Sequence, residues 1–563
     1  NIERLVELPL QSWKELVLSA PEWVLYNARI YTQSPSQPTA TSICIRDGRV
    51  LAVGGDELLQ HAVPSHRIDL GGCCVLPGLT DAHMHFVWFS LGLQRIDADQ
   101  PSCDQVLALV AQQAQTSPKG SWIRGHGWNH NAWGAGDLPT RDLLDRVAPD
   151  HPVFLTAKSG HASWANSRAL QLADVSASTV DPADGAIVRD ATGRPTGVFL
   201  EGASDLVGSH LPQVTVTDVA DAMRVGMTRA HGLGITGVHD MDGIRSLRAW
   251  QQLRAEDQLR LRVCKTIPLG HLDEAIGCGL TSGFGDEHLW IGGVKIFTDG
   301  ALGPQTAWML APYENDPSNH GMSLIEPEQL VSAMRRAASA RLASFVHAIG
   351  DRAIRETLDV VEQLRRHERA ERVTALRHRI EHVQIIDAAD ISRLASLDVI
   401  ASMQPIHATS DMYMVDRFWG PQRAPLAYAF RRVADSGATL AFGSDAPVET
   451  IAPLPGIHAA VTRRREDGEP GVEGWQPQEK LSVEAAICAY TAGAARAGGV
   501  GNRLGRLAPG FLADLVVLEQ DPHTAESMEI AQIGVAATMV GGQWVYRNSA
   551  ADGFPDLPAT DTV

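Results

Sequence analysis

Six residues suited to binding a divalent metal occur along the chain, each at the end of a short apolar run. The runs read D-A-H-M-H after Val75–Leu76, V-K-I-F-T-D-G, S-F-V-H-A-I-G-D, R-I-E-H-V-Q and L-A-F-G-S-D-A-P-V. The six residues are His83, His85, Lys295, His347, His382 and Asp445. Imidazole, carboxylate and an oxygen derived from lysine are ligands that hold divalent transition metals. The pattern predicts a metal site, and a metal that activates water predicts a hydrolase.

The motif formed by His83 and His85 is the first part of this site. In an extended strand, side chains i and i+2 point to the same side, so these two imidazoles can bind one metal together. A triplet of this kind often arises by chance, but here P-G-L-T-D-A precedes it and four further ligand-type residues follow. Asp81, two residues before His83, is placed to orient a neighbouring ligand.

Lys295 is the unusual member of the set, because an ammonium group cannot bind a cation. It must act as a base or react with carbon dioxide to give a carbamate, whose two oxygens can bridge two metals. Burial and nearby metal ions both favour the neutral amine that this reaction needs. The alternative is a lysine that pairs with Asp299 or reaches the surface. Lys158 and Lys265 are weaker candidates at other predicted strand ends.

His347, His382 and Asp445 complete the predicted site. Either histidine alone would more often be an ordinary core residue, but both follow consecutive apolar runs, which favours metal ligation. Asp445 ends the last run, where a carboxylate can touch both a metal and a water molecule. That position suits a general base that later acts as a general acid.

The six residues need a fold that brings distant strand ends together. Between the terminal regions the chain contains eight candidate strands separated in part by helical patterns, as in Pro327–Ala340 and Ile354–Arg365. Besides the runs already quoted, the strands are 234–240, 261–268 and 399–405. We predict an α/β fold, a (β/α)₈ TIM barrel over residues 78–504, in which the carboxyl ends of the strands meet at one mouth.

Two further units are predicted around the barrel. The gap from His85 to about Leu233 is too long for one crossover and has strand and turn signals of its own, so an inserted α+β subdomain is expected at about 100–230. Hairpin patterns occur near both chain ends, with turns at Asp47-Gly48 and Gly541-Gly542. They predict a small β-sandwich built from residues 1–77 and 505–563.

Further candidates for the pocket come from the insert and the loops. His161 could stabilise a developing oxyanion as a catalytic residue, and His126 and Trp128 could contact substrate. Gln404 and His407 follow the seventh predicted strand and should face the mouth. Trp88, Trp308 and Trp419 also follow predicted strands and suggest an apolar or aromatic substrate. For the residues of the insert and the tryptophans, packing within a core is the competing explanation.

Composition excludes several functional classes. The chain has 563 residues and a net charge of −18, which argues against nucleic acid and anionic membranes as partners. No run reaches the roughly 18 apolar residues of a membrane span, and the N-terminal residues lack a signal-peptide pattern. Seven cysteines without C-x-x-C pairs fit reduced thiols in a cytoplasmic protein. A small-molecule substrate is therefore expected, and a homodimer is left open.

The motifs together resemble the amidohydrolase superfamily. The long insert, with P-T-R-D-L-L-D, P-D-H-P-V and S-G-H-A-S-W-A-N-S-R-A-L, is similar to the branch that contains N-substituted formamide deformylase. This resemblance runs from about Val24 to Tyr546 and implies that the six residues bind metal, with Lys295 carboxylated. It implies one or two divalent ions per chain, with zinc as the expected metal.

The resulting prediction is a hydrolase of non-peptide C–N bonds, acting on an N-acyl or N-formyl amine through metal-activated water with Asp445 as base and acid. A mononuclear deaminase or ester hydrolase on the same scaffold is the alternative, and it would not need a carbamate at Lys295. An alternative of another class is a non-catalytic regulatory relative. Such relatives usually lose ligands, whereas all six residues are present here.

Overall fold

The computed structural model describes residues 21–133, 138–157, 162–182, 185–314, 316–372 and 374–549. These ranges form two compact units. One contains the residues up to Phe89 and those from Met223 onward, and the other is Ser90–Ala222.

The first unit is built around a sheet of eight parallel strands. The strands are β1 (Leu79–Met84), β2 (Ile235–Asp240), β3 (Arg262–Pro268), β4 (Leu289–Phe297), β5 (Ala343–Ala348), β6 (Arg379–His382), β7 (Ile400–Met403) and β8 (Leu440–Phe442). Each strand pairs in parallel with the next in sequence, from β1 to β8. Most of their residues are buried, as expected for a parallel sheet that is covered on both faces.

Backbone hydrogen bonds just beyond β8 and β1 close the barrel. The Asp445 N–H donates to the His83 carbonyl at 2.7 Å, and the His85 N–H donates to the Ala446 carbonyl at 2.8 Å. Gly443 allows this approach, because a Cβ there would lie 2.4 Å from the His83 nitrogen. The predicted (β/α)₈ barrel is confirmed. One detail differs, since Val75–Leu76 lies in a separate strand of a terminal sheet and does not lead directly into β1.

Helices follow the barrel strands and cover the sheet. They are α1 (Ile244–Ala255), α2 (Leu272–Gly277), α3 (Pro327–Ser339), α4 (Asp351–Glu371), α5 (Ala388–Ser396), α6 (Pro405–Ser410), α7 (Met412–Phe418), α8 (Gly420–Arg423), α9 (Phe430–Asp435), α10 (Pro453–Thr462), α11 (Val483–Tyr490) and α12 (Ala492–Ala497). In α3, Leu330, Ala333, Met334 and Ala337 are buried, which is the stripe of an amphipathic helix against a core. Among the helices of the described ranges, none has both the length and the apolar character needed to cross a bilayer.

Two further sheets of this unit are made from the ends of the chain, the first from N-terminal segments alone and the second from both ends. A four-stranded sheet contains Arg49–Gly54, Ser42–Arg46, Trp23–Tyr26 and Arg67–Asp69. A six-stranded sheet contains Gln543–Arg547, Val535–Val540, Leu515–Leu518, Cys74–Pro77, Arg29–Tyr31 and Thr39–Ala40. Residues of both sheets, including Leu25, Ile43 and Val517, share one buried cluster. Both predicted hairpin turns form, with positive φ at Asp47, Gly48, Gly541 and Gly542.

The second unit is an α+β insert after β1. Its mixed six-stranded sheet contains, in spatial order, Gly185–Arg189, Pro195–Glu201, Ala162–Ala165, Val153–Ala157, Ile123–Trp128 and Ile96–Asp97. Its helices are Cys103–Thr116, Arg141–Val147, Ser167–Leu172 and Asp205–Gly208. Helices Phe86–Gly92 and Val216–His231 occur where the chain enters and leaves the insert. The unit spans 90–222, where the sequence predicted about 100–230.

Candidate metal centre

All six predicted metal-binding residues line one cavity at the carboxyl ends of the barrel strands. The cavity has a volume of about 310 Å³. His83, Lys295, His347 and His382 lie within β1, β4, β5 and β6, and His85 and Asp445 lie just beyond β1 and β8. Because the parallel strands are neighbours in the barrel, they bring together residues that are spread over positions 83–445 of the sequence. Their role as ligands stays a prediction.

His83, His85 and Asp445 form a group whose ligand atoms lie within 4.8 Å of one another. Asp445 Oδ1 is 3.6 Å from His83 Nε2 and 3.5 Å from His85 Nε2. A tetrahedral ion with Zn–N distances of about 2.0–2.1 Å sets its ligand atoms about 3.4 Å apart. The spacing of these three side chains therefore fits a single divalent ion.

Carboxylates on other strands hold the two histidines in a defined tautomer. His83 Nδ1 donates to Glu381 at 2.7 Å, and His85 Nδ1 donates to Asp242 at 3.2 Å. An ionised carboxylate only accepts hydrogen bonds, so each proton is on Nδ1 and each Nε2 is left to bind metal. Arg379 pairs with Glu381 at 2.9 Å and fixes it in turn.

Sequence reasoning missed Glu381 and Asp242 as partners of the histidines. Glu381 stands directly before His382 near the end of a predicted strand, and Asp242 follows β2 by two residues. A carboxylate at such a position was a signal for a strand-end contact. It could not indicate which histidine the carboxylate would reach.

His347 and His382 form the second histidine pair of the cavity, with ring centroids 4.5 Å apart. His382 Nδ1 donates to Gln404 Oε1 at 3.0 Å, which leaves Nε2 as the ring nitrogen for metal. In His347 the arrangement is reversed, because Nε2 donates to the Gly300 carbonyl at 3.0 Å, which leaves Nδ1 as the ring nitrogen for metal. Gln404, which was predicted to contact substrate, thus makes a hydrogen bond that orients His382.

Burial keeps most of these imidazoles neutral. Desolvation, followed by the charge of Lys295, lowers the pKa of His347 to about 3, and burial lowers the pKa of His83 and His382 well below the usual value. Burial also acts to lower the pKa of His85, but Asp242 and Asp445 outweigh it and raise the pKa. The protonated form of His85 is therefore favoured more than that of the other three rings, each of which presents a free lone pair.

Lys295 is buried, with 3% of its surface exposed, and no hydrogen-bond partner within the described ranges reaches its Nζ. Burial is the main cause that lowers its pKa to about 8. About a tenth of such amines are neutral at pH 7. A carbamate at this nitrogen would add two oxygen ligands to the cavity that the histidines also line, so the site fits the modification that the sequence predicts.

The competing interpretations for the lysines find no support in the geometry. Asp299 accepts hydrogen bonds from the backbone N–H groups of Trp308, Ile349 and Gly350. Lys265 is paired with Asp240 at 3.8 Å in a fully buried contact away from the cavity lining. Lys158 lies outside the described residues.

Asp445 occupies a position suited to proton transfer. Its φ of 58° lies in the left-handed region, and desolvation is the main cause that raises its pKa above the usual value. Asp81 accepts from Ser444 Oγ at 2.5 Å and from the Ser444 and His83 N–H groups, so it holds the segment that carries Asp445. This contact agrees with the orienting role predicted for Asp81.

His407 is nearer to the predicted ligands than the sequence suggested. Its Nε2 lies 3.9 Å from Asp445 Oδ2, and its ring stacks on His382 with centroids 6.4 Å apart. His382, His407 and Asp445 form a second group whose ligand atoms lie within 4.8 Å of one another. His407 therefore faces the cavity, as predicted, from a position that could also bind metal.

The three tryptophans that suggested an apolar or aromatic substrate differ in position, and Trp419 is fully buried in the main core. Trp88 is 53% exposed, and its ring meets the edge of His85 with centroids 6.0 Å apart. Trp308 is half-buried beneath the Arg352 guanidinium at 4.7 Å and does not line the cavity. Packing explains Trp308 without a substrate contact, whereas Trp88 keeps an exposed surface next to a predicted ligand.

Three predicted residues belong to the insert. Trp128 is buried in the core of that unit and donates to the Leu155 carbonyl at 3.0 Å, so packing replaces the substrate contact predicted for it. His126 is exposed and bonds Thr156 Oγ1 at 2.8 Å. His161, the second predicted catalytic residue, lies outside the described residues.

Comparison with known proteins shows similarity along nearly the whole chain. The model of the Amidohydrolase family matches residues 67–546. The chain is 33% identical to Protein LONG AFTER FAR-RED 3 of Arabidopsis thaliana, over 92% of this chain and 91% of that protein. It is 27% identical to the N-substituted formamide deformylase of Arthrobacter pascens, over 94% and 99%.

A solved structure supports the same relationship. An uncharacterised metal-dependent hydrolase from Pyrococcus horikoshii superposes with a TM-score of 0.74 at 29% identity. The match covers 90% of this chain and 98% of that protein.

Proposed function

This chain belongs to the amidohydrolase family and is a hydrolase, and from that premise we propose that it cleaves a non-peptide amide, an N-acyl or N-formyl amine, with the help of a divalent metal. The observation that carries the proposal is the single cavity lined by His83, His85, Lys295, His347, His382 and Asp445. Similarity to N-substituted formamide deformylase supports an amide as the substrate class.

The residues fit the metal in two sets. His83, His85 and Asp445 would hold one ion, and a carboxylated Lys295 with His347 and His382 would hold a second. Zinc suits this combination of imidazole and carboxylate ligands. When bound, the metal lowers the pKa of water towards about 7 and polarises the carbonyl of the amide.

Asp445 is the proposed proton carrier. The oxygen of water bonds to the carbonyl carbon, and Asp445 accepts the proton that this oxygen loses. The C–N bond then breaks with its electron pair on nitrogen, and Asp445 returns the proton to the departing amine. Because burial raises the pKa of Asp445, the carboxyl group is closer to the neutral range in which one group serves as both base and acid.

The proposed substrate is a small molecule with an apolar or aromatic part. The cavity of about 310 Å³ is at the small end of the range of about 300–1,000 Å³ for ligand pockets. A cavity of this size favours a small molecule over a folded protein or a nucleic acid at the reacting atoms. Exposed apolar side chains near the cavity, Trp88 and Phe297, favour an apolar substituent.

Metal analysis combined with an activity screen tests the proposal. The purified protein is analysed for metal per chain and assayed against a panel of N-acyl and N-formyl amines, esters and deaminase substrates. We expect two ions per chain and amide cleavage. One ion with turnover of an ester or an aminated ring would instead establish the mononuclear alternative, and metal-free protein without turnover would support a regulatory role.

Substitution of Asp445 separates catalysis from binding. Asp445→Asn keeps the shape and one oxygen for metal, so we expect kcat to fall about 10²–10⁴-fold while most of the metal is retained. Asp467→Asn, which removes an exposed carboxylate of the same unit, is the control and should change neither quantity. Near-normal turnover of Asp445→Asn with metal bound would exclude Asp445 as the proton carrier.

A further inference from the structure

A second, larger cavity adjoins the metal cavity. Its volume is about 830 Å³, and Lys295 and Phe297 line both cavities. The Phe297 ring lies 4.9 Å from Lys295 Nζ and 5.2 Å from the His347 ring, so it forms a wall between the two spaces. This side chain is 47% exposed although it is aromatic. An exposed phenyl ring between two cavities at a reaction centre offers apolar surface that a ligand can cover.

The lining of the second cavity is mainly apolar and carries no unpaired charge apart from Lys295. Apolar lining residues are Met241, Leu269, Leu272, Phe297, Leu324 and Ile325. The two other charged residues of the lining, Asp273 and Arg336, form an ion pair with each other. Apart from Lys295, which also lines the metal cavity, the charges of this lining are paired with each other, so the surface suits an uncharged apolar group.

The position of the cavity decides which part of an amide it would hold. Its lining runs from Met241 to Arg336, that is, from the segments after β2, β3 and β4 and from α3. Asp445 follows β8, on the other side of the strand order. Because the departing nitrogen takes its proton from Asp445, this nitrogen lies on the β8 side of the carbonyl carbon. The acyl substituent then points towards β4 and the second cavity.

We propose that the second cavity binds the acyl group of the substrate, an uncharged alkyl or aryl chain, and that the enzyme prefers N-acyl amines to N-formyl amines. A formyl group has only a hydrogen on its carbonyl carbon and would leave this cavity without an occupant. The inference rests on the proposed amide hydrolysis for its orientation, and it goes beyond it by assigning a selectivity site.

Two substrate series test whether a longer acyl chain or a longer amine chain raises kcat/KM. One series carries formyl, acetyl, butanoyl and hexanoyl groups on 4-nitroaniline, and the other carries a formyl group on methylamine, butylamine and hexylamine. We expect kcat/KM to rise about fourfold for each added methylene in the acyl series. The amine series should stay flat. A gain confined to the amine series, or no gain in either, would overturn the inference even if the amides are hydrolysed.

Two matched substitutions on α3 test whether the second cavity causes the preference for longer acyl chains. Ser332 is exposed and lines the second cavity, whereas Ser339 is exposed on the same helix and does not. Ser332→Trp should fill the cavity and reduce the preference for hexanoyl over acetyl substrate more than tenfold. Ser339→Trp adds the same indole and should keep the preference of the parent enzyme. An equal preference in both variants would contradict the assignment.

A binding measurement distinguishes failure of the inference from failure of the proposed function. Hexanoate and acetate are titrated by calorimetry into the metal-loaded parent protein and into both variants. Tighter binding of hexanoate that Ser332→Trp abolishes supports the cavity even if no amide is turned over, in which case amide hydrolysis alone is wrong. Equal affinity of the two acids for the parent protein would overturn the acyl site.

Discussion

At the scale of single residues, each of the four histidines predicted to bind metal is held by a bond at one ring nitrogen and presents the other. His83 and His85 use carboxylates for this, His382 uses the Gln404 amide oxygen, and His347 uses the Gly300 carbonyl. A ring held in this way has a fixed tautomer and orientation before any metal binds, so metal binding requires little further ordering of the side chains.

The bond between His83 and Glu381 should contribute to metal affinity. Glu381→Gln replaces a charged acceptor with a neutral amide and leaves the buried Arg379 without its ionic partner. We expect metal affinity to fall about 10–100-fold, measured by competition with a chelator. Glu362→Gln, at the surface, is the control. Unchanged affinity in Glu381→Gln would exclude this indirect contribution.

Lys295 should be required for the second ion. Lys295→Ala removes the amine that could form a carbamate, so we expect loss of activity and of one metal per chain. Acetate with excess metal should restore part of the activity by supplying the missing oxygens. In the parent protein, ¹³C-labelled carbon dioxide should give a carbamate signal that disappears in Lys295→Ala and persists in Lys119→Ala, whose side chain is 86% exposed. Full activity and metal content in Lys295→Ala would contradict the proposal.

At the scale of elements, ion pairs connect the segments that follow the strands to the helices around them. His523, after the strand Leu515–Leu518, bonds Glu484 of α11 at 3.1 Å and Asp521 at 3.2 Å, and its ring stacks on Tyr31. Burial alone would lower the pKa of His523, but the two carboxylates outweigh it and raise the pKa. The same contacts lower the pKa of Glu484. This cluster therefore joins a terminal sheet to a barrel helix most strongly when both partners are charged.

Stability should depend on pH through this cluster. The pKa of His523 is higher in the folded protein than in the unfolded chain, where it is about 6.5. Its contribution to the free energy of unfolding is therefore fully present below a pH of about 6.5 and is lost as pH rises through the pKa of the folded protein. We expect the free energy of unfolding of the parent to be about 0.5–1 kcal/mol larger than that of His523→Gln near pH 6. At pH 9 the two free energies should be nearly equal. Thermal midpoints across this range measure the difference, with His61→Gln, at an exposed histidine, as control. A difference that grows with pH would show that the sign is wrong.

At the scale of the whole molecule, the barrel and the sheets from both chain ends form one compact unit. Arg262 at the start of β3 makes two hydrogen bonds to Asp514, at 2.8 and 2.9 Å, and Thr538 donates to the His231 carbonyl. These buried contacts join segments that are about 250 to 300 residues apart. Large apolar cores, and not the metal cavity, supply most of the stability of such a fold.

Metal removal should therefore lower stability without unfolding the protein. Chelation should abolish activity and keep the far-ultraviolet circular dichroism, because most of the core residues lie outside the cavity lining. Added zinc should raise the thermal midpoint, with about 4 kcal/mol gained at a free concentration of 1,000 times Kd. Magnesium should not substitute, since it prefers oxygen ligands. A protein that keeps its activity after complete chelation would exclude the metal mechanism.

Local patterns in the sequence were sufficient to predict the barrel. The eight strands follow from short apolar runs, and the two hairpins follow from Asp47-Gly48 and Gly541-Gly542, whose residues adopt positive φ. The six candidate ligands could be named because each stands at a strand end, and parallel strands of a barrel bring those ends together. The physical reason is that strand propensity, turn geometry and side-chain alternation depend on neighbours a few residues away.

Only the tertiary structure decided which groups meet inside the cavity. Glu381 reaches His83 across 298 residues and Asp242 reaches His85 across 157, so neither pairing has a local signal. The sequence already favoured Lys295 over Lys265, but only the fold shows that Lys265 pairs with Asp240 and that, within the described ranges, Lys295 Nζ has no hydrogen-bond partner. The place of Trp128 depended on how the insert packs. Burial, ring orientation and charge pairing arise from contacts between distant segments, which no window of sequence contains.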